Sequence, residues 1–185
     1  MGLTYADAGV NLDLGDNASE VMFNAAKLTW KNRQGKLGEV VQVREDFTGI
    51  KGIRVGGLPA DTFASLNFDG VGTKMEIAER IVKHATIAHD LFAMVCDDAV
   101  RDGAEPVLVG SILDVNTLTK DKKTKESYID FVKQLAVGYI SAAKAANVAV
   151  INGEVAELGA RVAGYGPFNY NWGAACCGLL EKAEL

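Results

Sequence analysis

A six-residue junction at residues 69–74, Asp-Gly-Val-Gly-Thr-Lys, constrains the fold of this chain more than any other segment. It follows a strand-like run over residues 62–68 and opens a helix-like run. Thr73 and Glu76 have the T-x-x-E spacing of a capping box, which predicts that Thr73 is the N-cap of that helix. Backbone N–H groups at such a terminus attract anions, and Lys74 adds a positive charge. The pattern indicates either a phosphate-binding turn or a tight turn with a surface lysine, and its order differs from the Walker sequence.

Composition limits the partners of the chain. Its 185 residues, 49% hydrophobic and 23% charged, fit one domain that buries its own core. A net charge of -5 provides no basic surface for nucleic acid or an acidic membrane, so neither partner is expected. The three cysteines, Cys96, Cys176 and Cys177, lack metal-binding spacing and are odd in number. They are therefore expected to be buried, reduced thiols in a cytoplasmic protein.

Apolar periodicity divides the chain into alternating helices and strands. The predicted helices cover residues 17–31, 73–83, 86–102 and 125–146, and the predicted strands cover residues 37–43, 62–68, 106–115, 148–151 and 172–180. Asn17 is the expected N-cap of the first helix, and Gly103 is expected to end the helix at 86–102. Two helices have apolar stripes that are expected to face inward: Ile87, Leu91, Met94, Val95 and Ala99 in the helix at 86–102, and Tyr128, Val132, Leu135 and Tyr139 in the helix at 125–146. A glycine-rich loop is expected at residues 48–58. This order predicts an α+β (mixed α/β) fold, with a small mixed sheet covered by helices.

The helix predicted at residues 86–102 carries the acidic residues Asp90, Asp97 and Asp98. Asp90 lies near the helix start, where a carboxylate complements the helix dipole. Asp98 borders the apolar stripe, and a carboxylate there is costly unless it is paired or bound to a metal. The sequence thus leaves two interpretations open for Asp98: a metal or ligand contact, or an ion pair with Arg101.

A second acidic segment, Asn152-Gly153-Glu154, follows the short strand predicted at residues 148–151. Glu154 there suits either ligand binding at a strand end or capping of a helix. Asp69, Asp98 and Glu154 together supply the oxygen ligands that Mg²⁺ prefers.

The two histidines do not indicate catalysis. His84 is expected to cap a helix C-terminus and His89 to face solvent. Neither has a Ser or Cys partner that the sequence identifies, so no catalytic triad is predicted.

Several motifs occur in one order along the chain. They are Y-A-D-A-G-V at residues 5–10, D-G-V-G-T-K at 69–74, H-x-T-I-x-x-D-L-x-A-M at 84–94, D-D-x-V-x-x-G-A-E-P at 97–106, G-E-x-A-E at 153–157 and a closing G-L-L-E-K-A-E-L. In these the chain resembles the N-terminal domain of aminoimidazole ribonucleotide synthetase, also called phosphoribosylformylglycinamidine cyclo-ligase. The resemblance runs from about Tyr5 to Leu185 and is weakest between Lys31 and Leu66.

The resemblance implies an ATP- and Mg²⁺-dependent ring closure in de novo purine biosynthesis. ATP activates the amide oxygen of formylglycinamidine ribonucleotide, an internal nitrogen attacks, and phosphate leaves as aminoimidazole ribonucleotide forms. Selenophosphate synthetase and thiamine-monophosphate kinase share the ATP-binding domain and are alternatives, as is a non-catalytic nucleotide-binding dimerisation module. The first is disfavoured because it needs a reactive residue near the N-terminus, whereas the first cysteine here is Cys96.

The resemblance also implies roles for single residues. The implied catalytic positions are Asp98 and Lys74; the nucleotide-binding positions are Asp69, Gly70, Gly72, Thr73, Asp90, Asp97 and Glu154; and the metal positions are Asp69, Asp98 and Glu154. Five places depart from the family pattern: a sparser glycine loop at residues 48–58, Asn67-Phe68 in place of small polar residues, Asp97 in place of Asn, Asn152 in place of Gly, and Gly159 where a proline is common.

The family has a second domain that carries part of the active site. Residues 1–185 are therefore expected to form a single ATP-binding, dimerising N-terminal domain without the C-terminal domain. In the family, strands of two such domains close a barrel, so a homodimer is expected. The apolar strand at residues 106–115 would lie in the interface, and a charge at Val109 or Ile112 would yield monomers or aggregates. The alternative is that this strand is central in its own sheet, where a charge would unfold the chain.

Overall fold

The computed structural model describes residues 11–42, 51–120, 125 and 127–181. The helices are α1 (Leu12–Thr29), α2 (Met75–Ile81), α3 (Ile87–Arg101) and α4 (Tyr128–Ala145). The strands are β1 (Val40–Gln42), β2 (Lys51–Ile53), β3 (Thr62–Gly70), β4 (Glu105–Val115), β5 (Ala149–Glu157) and β6 (Tyr170–Glu181). Short 3-10 turns occupy Trp30–Arg33, Gly72–Lys74 and Gly159–Arg161.

The main sheet has four strands in the order β3-β6-β4-β5. β6 pairs antiparallel with both β3 and β4, whereas β4 and β5 are parallel and are connected through α4. The sheet is therefore mixed, and the expected α+β class is confirmed. β4 lies inside this sheet and not at its edge. This agrees with the alternative that the strand at residues 106–115 is central in its own sheet.

One face of the sheet is covered by α1, α3 and α4, which bury the main core. The predicted inward stripe of α4 is confirmed, because its four side chains are at most 5% exposed: Tyr128, Val132, Leu135 and Tyr139. The stripe of α3 is also confirmed except for Met94, which is 37% exposed. Cys96 and Cys176 are buried free thiols on this face, and Cys177 is a half-buried free thiol.

The second face of the sheet is only partly covered. At one end a small apolar cluster is covered by five side chains from outside the main sheet. The cluster is Val107, Leu108, Ala149 and Leu179, and the covering side chains are Trp30, Leu37, Val40, Ile53 and Leu58. The other end, which we call the open face, has no covering element among the described residues. It is lined by Leu66, Phe68, Gly110, Ile112, Asp114, Asn152, Glu154, Asn171, Gly173 and Ala175.

Three helices end in the same hydrogen-bonded motif, in which the residue after the helix adopts a left-handed conformation. Gly103 ends α3 as the sequence predicts, and Asn147 ends α4. At the end of α2 this position is Val82, with φ of 54°. A β-branched residue is unfavourable at positive φ, so surrounding contacts must hold α2 in place.

Several boundaries differ from the sequence prediction. α1 begins at Leu12, because Asn11 and not Asn17 is its N-cap: the Asn11 side chain accepts the Leu14 N–H at 3.1 Å. Within the predicted loop at 48–58, Lys51–Ile53 form a strand paired with β1; residues 43 and 48–50 lie outside the described residues. β5 continues through the Asn-Gly-Glu segment to Glu157, since pairing with β4 keeps it extended.

Candidate functional site

The junction at residues 69–74 joins β3 to α2 at the edge of the open face. Val71 is buried and donates its N–H to the Trp172 carbonyl oxygen at 3.0 Å. Gly70 approaches β6 closely, because a Cβ there would lie only 3.0 Å from the same carbonyl oxygen. Gly72 has φ of +55°, which favours glycine. The turn is therefore fixed in shape by β6.

The predicted capping box is wrong. The chain enters α2 through the 3-10 turn Gly72–Lys74, so Lys74 occupies the N-cap position and no side chain caps the helix. Glu76 pairs with Arg80 at 2.7 Å instead of reaching back to Thr73. Thr73 and Lys74 are both exposed.

Asp69 is the last residue but one of β3. Its Oδ1 accepts a hydrogen bond from the Gly70 N–H at 2.7 Å. Across the sheet, Asp69 is in register with Ala174, Ser111 and Gly153. It is therefore separated from the Glu154 region by three strand spacings, or about 14 Å.

The acidic residues of α3 lie behind the sheet, on the helix-covered side. Asp98 forms an ion pair with Arg101 at 3.1 Å, and its side chain is 34% exposed. This is the ion pair that the sequence left as an alternative. Asp90 is half-buried in the first turn and Asp97 is exposed.

Glu154 lies on β5 at the open face; it is exposed, and its carboxylate has no hydrogen bond or ion pair to another described residue. The helix-capping interpretation is wrong, because Glu154 is in the middle of a strand. The adjacent Gly153 is needed for close strand packing, since a Cβ there would lie 3.0 Å from the Ser111 carbonyl oxygen. Glu157, in contrast, has a structural role: its carboxylate accepts three hydrogen bonds, from Asn11, Thr117 and Leu118.

The residues named for Mg²⁺ have suitable oxygen donors but are not gathered together. The described part of the chain contains no group of three or more His, Cys, Asp or Glu side chains placed to hold a metal ion. Asp69 and Glu154 are separated along the sheet, and Asp98 is paired behind it. A single protomer therefore does not assemble Asp69, Asp98 and Glu154 around one ion, and their metal role stays a prediction.

Two cavities meet at β5. One, of about 680 Å³, lies on the open face and brings Asp69, Gly70, Asp114 and Glu154 to one concave surface. The other, of about 750 Å³, lies between α1 and β5 and is lined by Phe23, Lys51, Tyr139 and Glu154, among others. Neither includes Thr73, Lys74, Asp90, Asp97 or Asp98.

Sequence reasoning missed a buried polar chain beside the second cavity. The Ser111 hydroxyl shares a hydrogen bond with the Tyr139 hydroxyl at 2.7 Å and accepts the Trp172 Nε1–H at 3.2 Å. Burial raises the pKa of Tyr139, so this phenol stays neutral. An alternating strand with one Ser among apolar residues gave no signal that this hydroxyl has partners.

His84 is also misplaced by the sequence prediction. It is 1% exposed and lies against Phe131, Phe168 and Tyr170, with Nδ1 3.1 Å from the Tyr170 hydroxyl. It is a core residue and not a helix cap. His89 is exposed, as predicted, and contacts Ser141.

We expect stability to fall by about 2 kcal/mol between pH 7 and pH 5, because of His84. Burial lowers the pKa of His84 from 6.5 to about 4. The unfolded chain then binds more protons than the folded chain between these values, so stability is present above pH 6.5 and is lost as the pH falls toward 4. Urea unfolding at a series of pH values measures this. His84→Gln should flatten the dependence of the free energy of unfolding on pH, and His89→Gln should leave it unchanged. The same pH dependence in His84→Gln would show that other groups cause it.

The described residues contain no helix long and apolar enough to cross a membrane.

The architecture defines a class: an α+β domain with helices on one face of a mixed sheet and an open second face. The chain belongs to the family of AIR synthase related proteins, N-terminal domain, whose model matches residues 54–180. It is 32% identical over 183 residues to a phosphoribosylformylglycinamidine cyclo-ligase of Pyrococcus horikoshii, covering 99% of this chain and 48% of that protein. The same enzyme of Acetivibrio thermocellus is 33% identical, with 98% and 48% covered.

Solved structures show the same fold. The structure of E. coli HypE, a hydrogenase maturation protein, matches with a TM-score of 0.53 and 12% identity, covering 86% of this chain and 43% of that one. At this identity the match concerns the fold alone. The chain spans about half the length of the curated relatives that it matches. The resemblance seen in the sequence motifs is thus confirmed at the level of the family.

Proposed function

We propose that this chain is the ATP-binding half of a cyclo-ligase that converts formylglycinamidine ribonucleotide to aminoimidazole ribonucleotide, in the cytoplasm. The observation that carries the proposal is the relation over 99% of the chain, at 32% identity, to a phosphoribosylformylglycinamidine cyclo-ligase. A domain-length relation of this kind includes the junction, the α3 acidic pair and the β5 segment together, rather than one short motif.

The proposed nucleotide site is the open-face cavity at the edge of the proposed dimer contact: Phe68 and Ile112 meet the partner, and the end of the cavity at Asp69 and Gly70 stays open to the nucleotide. The cavity contains the end of β3 at Asp69 and Gly70 and the exposed carboxylate of Glu154. The junction that follows Gly70 presents Gly72, Thr73 and Lys74 to solvent, where they are available to a phosphate chain. Lys74 supplies a positive charge to pair with the phosphates. We propose Lys74 and Asp98 as the catalytic residues.

Mg²⁺ enters this proposal with the substrate, as Mg-ATP. Because Asp69, Asp98 and Glu154 are not gathered in one protomer, the phosphates must provide most of the ion's ligands, which suits the reluctance of Mg²⁺ to lose its own water. Asp90 and Asp97 are proposed as nucleotide-binding positions only through the family pattern.

The assembly in this proposal is a homodimer formed through the open faces, with a C-terminal domain completing the active site. The observation that favours it is the exposure of Phe68 and Ile112, at 70% and 56%, on the sheet face that no described element covers. Exposed apolar surface of this kind marks an interaction site.

Reconstitution tests the function. We expect this chain alone to bind Mg-ATP without turnover, and to form aminoimidazole ribonucleotide when mixed with a separately expressed C-terminal half of a cyclo-ligase. Phosphate release and product formation are both measured, with thiamine monophosphate as a competing acceptor. Binding without turnover in every mixture would instead support a non-catalytic nucleotide-binding module, and phosphorylation of thiamine monophosphate would support a kinase.

Asp98→Asn is expected to weaken Mg-ATP binding by about 1.5–3 kcal/mol, the size of a lost charged contact. If the carboxylate serves only its ion pair with Arg101, the loss falls on stability instead and is small, because that pair is on the surface. Calorimetric titration and thermal melting of the same variant separate the two. Asp102→Asn is the matched control, since Asp102 also contacts Arg101, at 3.3 Å. Equal affinity in the two variants would remove Asp98 from the site.

A further inference from the structure

Helix α2 is attached to the rest of the protein by a buried carboxylate, and it buries little apolar surface. Of its seven residues only Ala78 and Glu79 are buried, while Ile77 and Ile81 are 65% and 57% exposed. A helix is ordinarily held by burying its apolar stripe. Here Ile77 and Ile81 point outward, Met75 packs only partly against the main core, and the one long side chain that is buried is that of Glu79.

The Glu79 carboxylate is bound by backbone donors from one segment. Its Oε2 accepts the Tyr165 N–H at 2.9 Å, and its Oε1 accepts the Tyr170 N–H at 3.3 Å. With Glu79 only 4% exposed, these two bonds offset much of the cost of burying a charge.

The segment that supplies these donors is shaped around Glu79. A Cβ at Gly164 would collide with Glu79 Oε2, and one at Gly166 would lie 2.7 Å from the Glu79 carbonyl oxygen. Arg80 reinforces the contact, because its guanidinium lies 3.8 Å from the centre of the Tyr165 ring. Gly166 is thus needed for the segment to approach the α2 backbone, and Gly164 leaves the space that the Glu79 carboxylate occupies.

The same strand holds both ends of the stretch from Val71 to Glu79. At its start, Val71 donates to the carbonyl oxygen of Trp172 in β6. At its end, Glu79 accepts from Tyr170, two residues earlier in β6. The Gly72–Lys74 turn lies between these two attachments, and its own side chains are exposed. The position of the turn therefore depends on both.

We propose that Glu79 is a positioning residue for the phosphate-binding turn: by fixing α2 to the first residues of β6, it holds Gly72, Thr73 and Lys74 where they meet the phosphates of Mg-ATP. The proposal rests on the proposed function for the identity of the ligand. The coupling between Glu79 and the turn does not depend on it.

The test is Glu79→Gln, which keeps the side-chain shape but replaces one of the two acceptor oxygens by a donor. Hydrogen exchange is measured on peptides that cover residues 70–74 and 162–170, and Mg-ATP affinity is measured well below the melting temperature. We expect faster exchange in both peptides and a Kd for Mg-ATP that rises about fivefold. Glu76→Gln is the control: Glu76 is on the same helix but pairs only with Arg80, at the surface, so both readouts should match the unmodified protein.

Each outcome decides the proposal. Faster exchange at residues 162–170 with unchanged exchange at 70–74 and unchanged affinity would show that Glu79 only stabilises its own loop. If Glu79→Gln does not fold, Gly164→Ala disturbs the same contact from the other side, with Gly15→Ala as its control because nothing lies within 4 Å of a Cβ there. If the unmodified protein binds no Mg-ATP, the proposed function fails, and the exchange of residues 70–74 still reports whether Glu79 holds the turn.

Discussion

Ile112→Glu is expected to convert the proposed homodimer into a folded monomer. Ile112 is 56% exposed in the middle of the open face. Phe68, which is 70% exposed, lies on the same face and is in register with Gly110, two residues before Ile112 on β4. A carboxylate buried there without a partner would cost about 3–5 kcal/mol, which raises the dimer Kd by about a hundredfold or more. The side chain already faces solvent in the single chain, so the monomer should stay folded.

Two further substitutions make this result specific. Val137→Glu places the same charge on α4, at a site 63% exposed but on the opposite side of the molecule, and should leave the dimer intact. Val109→Glu, only three residues from Ile112 but 0% exposed against the helices, should unfold the chain. Light scattering over a range of concentrations gives the mass. A value near 19.7 kDa for the unmodified protein at all concentrations would rule out the dimer.

Arg33→Met is expected to lower the free energy of unfolding by about 2–4 kcal/mol, which is the summed cost of leaving its buried hydrogen-bond acceptors without a donor. Arg33 is 0% exposed and donates to the Leu37 carbonyl oxygen, to the Asn147 carbonyl oxygen at 3.1 Å and to Glu105 at 2.6 Å. It thus joins three segments at the covered end of the sheet. Methionine fills the space but leaves both carbonyl oxygens without a donor.

Urea unfolding measures this loss, and Arg101→Met is the control. Arg101 has two carboxylate partners, yet its side chain is 70% exposed, so its removal should leave the unfolding midpoint unchanged. The unfolding midpoint of Arg33→Lys should fall between those of Arg33→Met and the unmodified protein, because one ammonium group cannot reach all the acceptors of a planar guanidinium. Equal midpoints for Arg33→Met and Arg101→Met would show that the buried network adds nothing.

The sequence predicted the main elements where periodicity was long and uniform. The apolar stripes of α3 and α4 correctly predicted which faces of these helices are buried, and Gly103 correctly predicted where α3 ends. Errors arose where pairing between distant segments decides the local conformation. β5 remains extended through Gly153 because β4 lies alongside it, and Lys51–Ile53 form a strand because β1 does. No local pattern contains this information.

The candidate site was less predictable for the same reason. The oxygen ligands of Asp69, Asp98 and Glu154 and the family resemblance suggested one ion, but the strand order inserts β6 and β4 between Asp69 and Glu154. Glu79 and His84 gave no signal, since a single Glu in a short helix or a His after it is usually on the surface. Only the packing against Tyr165 and Tyr170 shows that each is buried and bound.

Calorimetric titration of Mg-ATP into the unmodified chain tests the central claim most directly. Binding to an ATP-binding half requires neither the ribonucleotide nor turnover. We predict saturable binding of one Mg-ATP per chain that is lost when Mg²⁺ is removed with a chelator. No saturable heat up to millimolar Mg-ATP, from a chain that melts cooperatively, would contradict the assignment of this domain as the ATP-binding half of a cyclo-ligase.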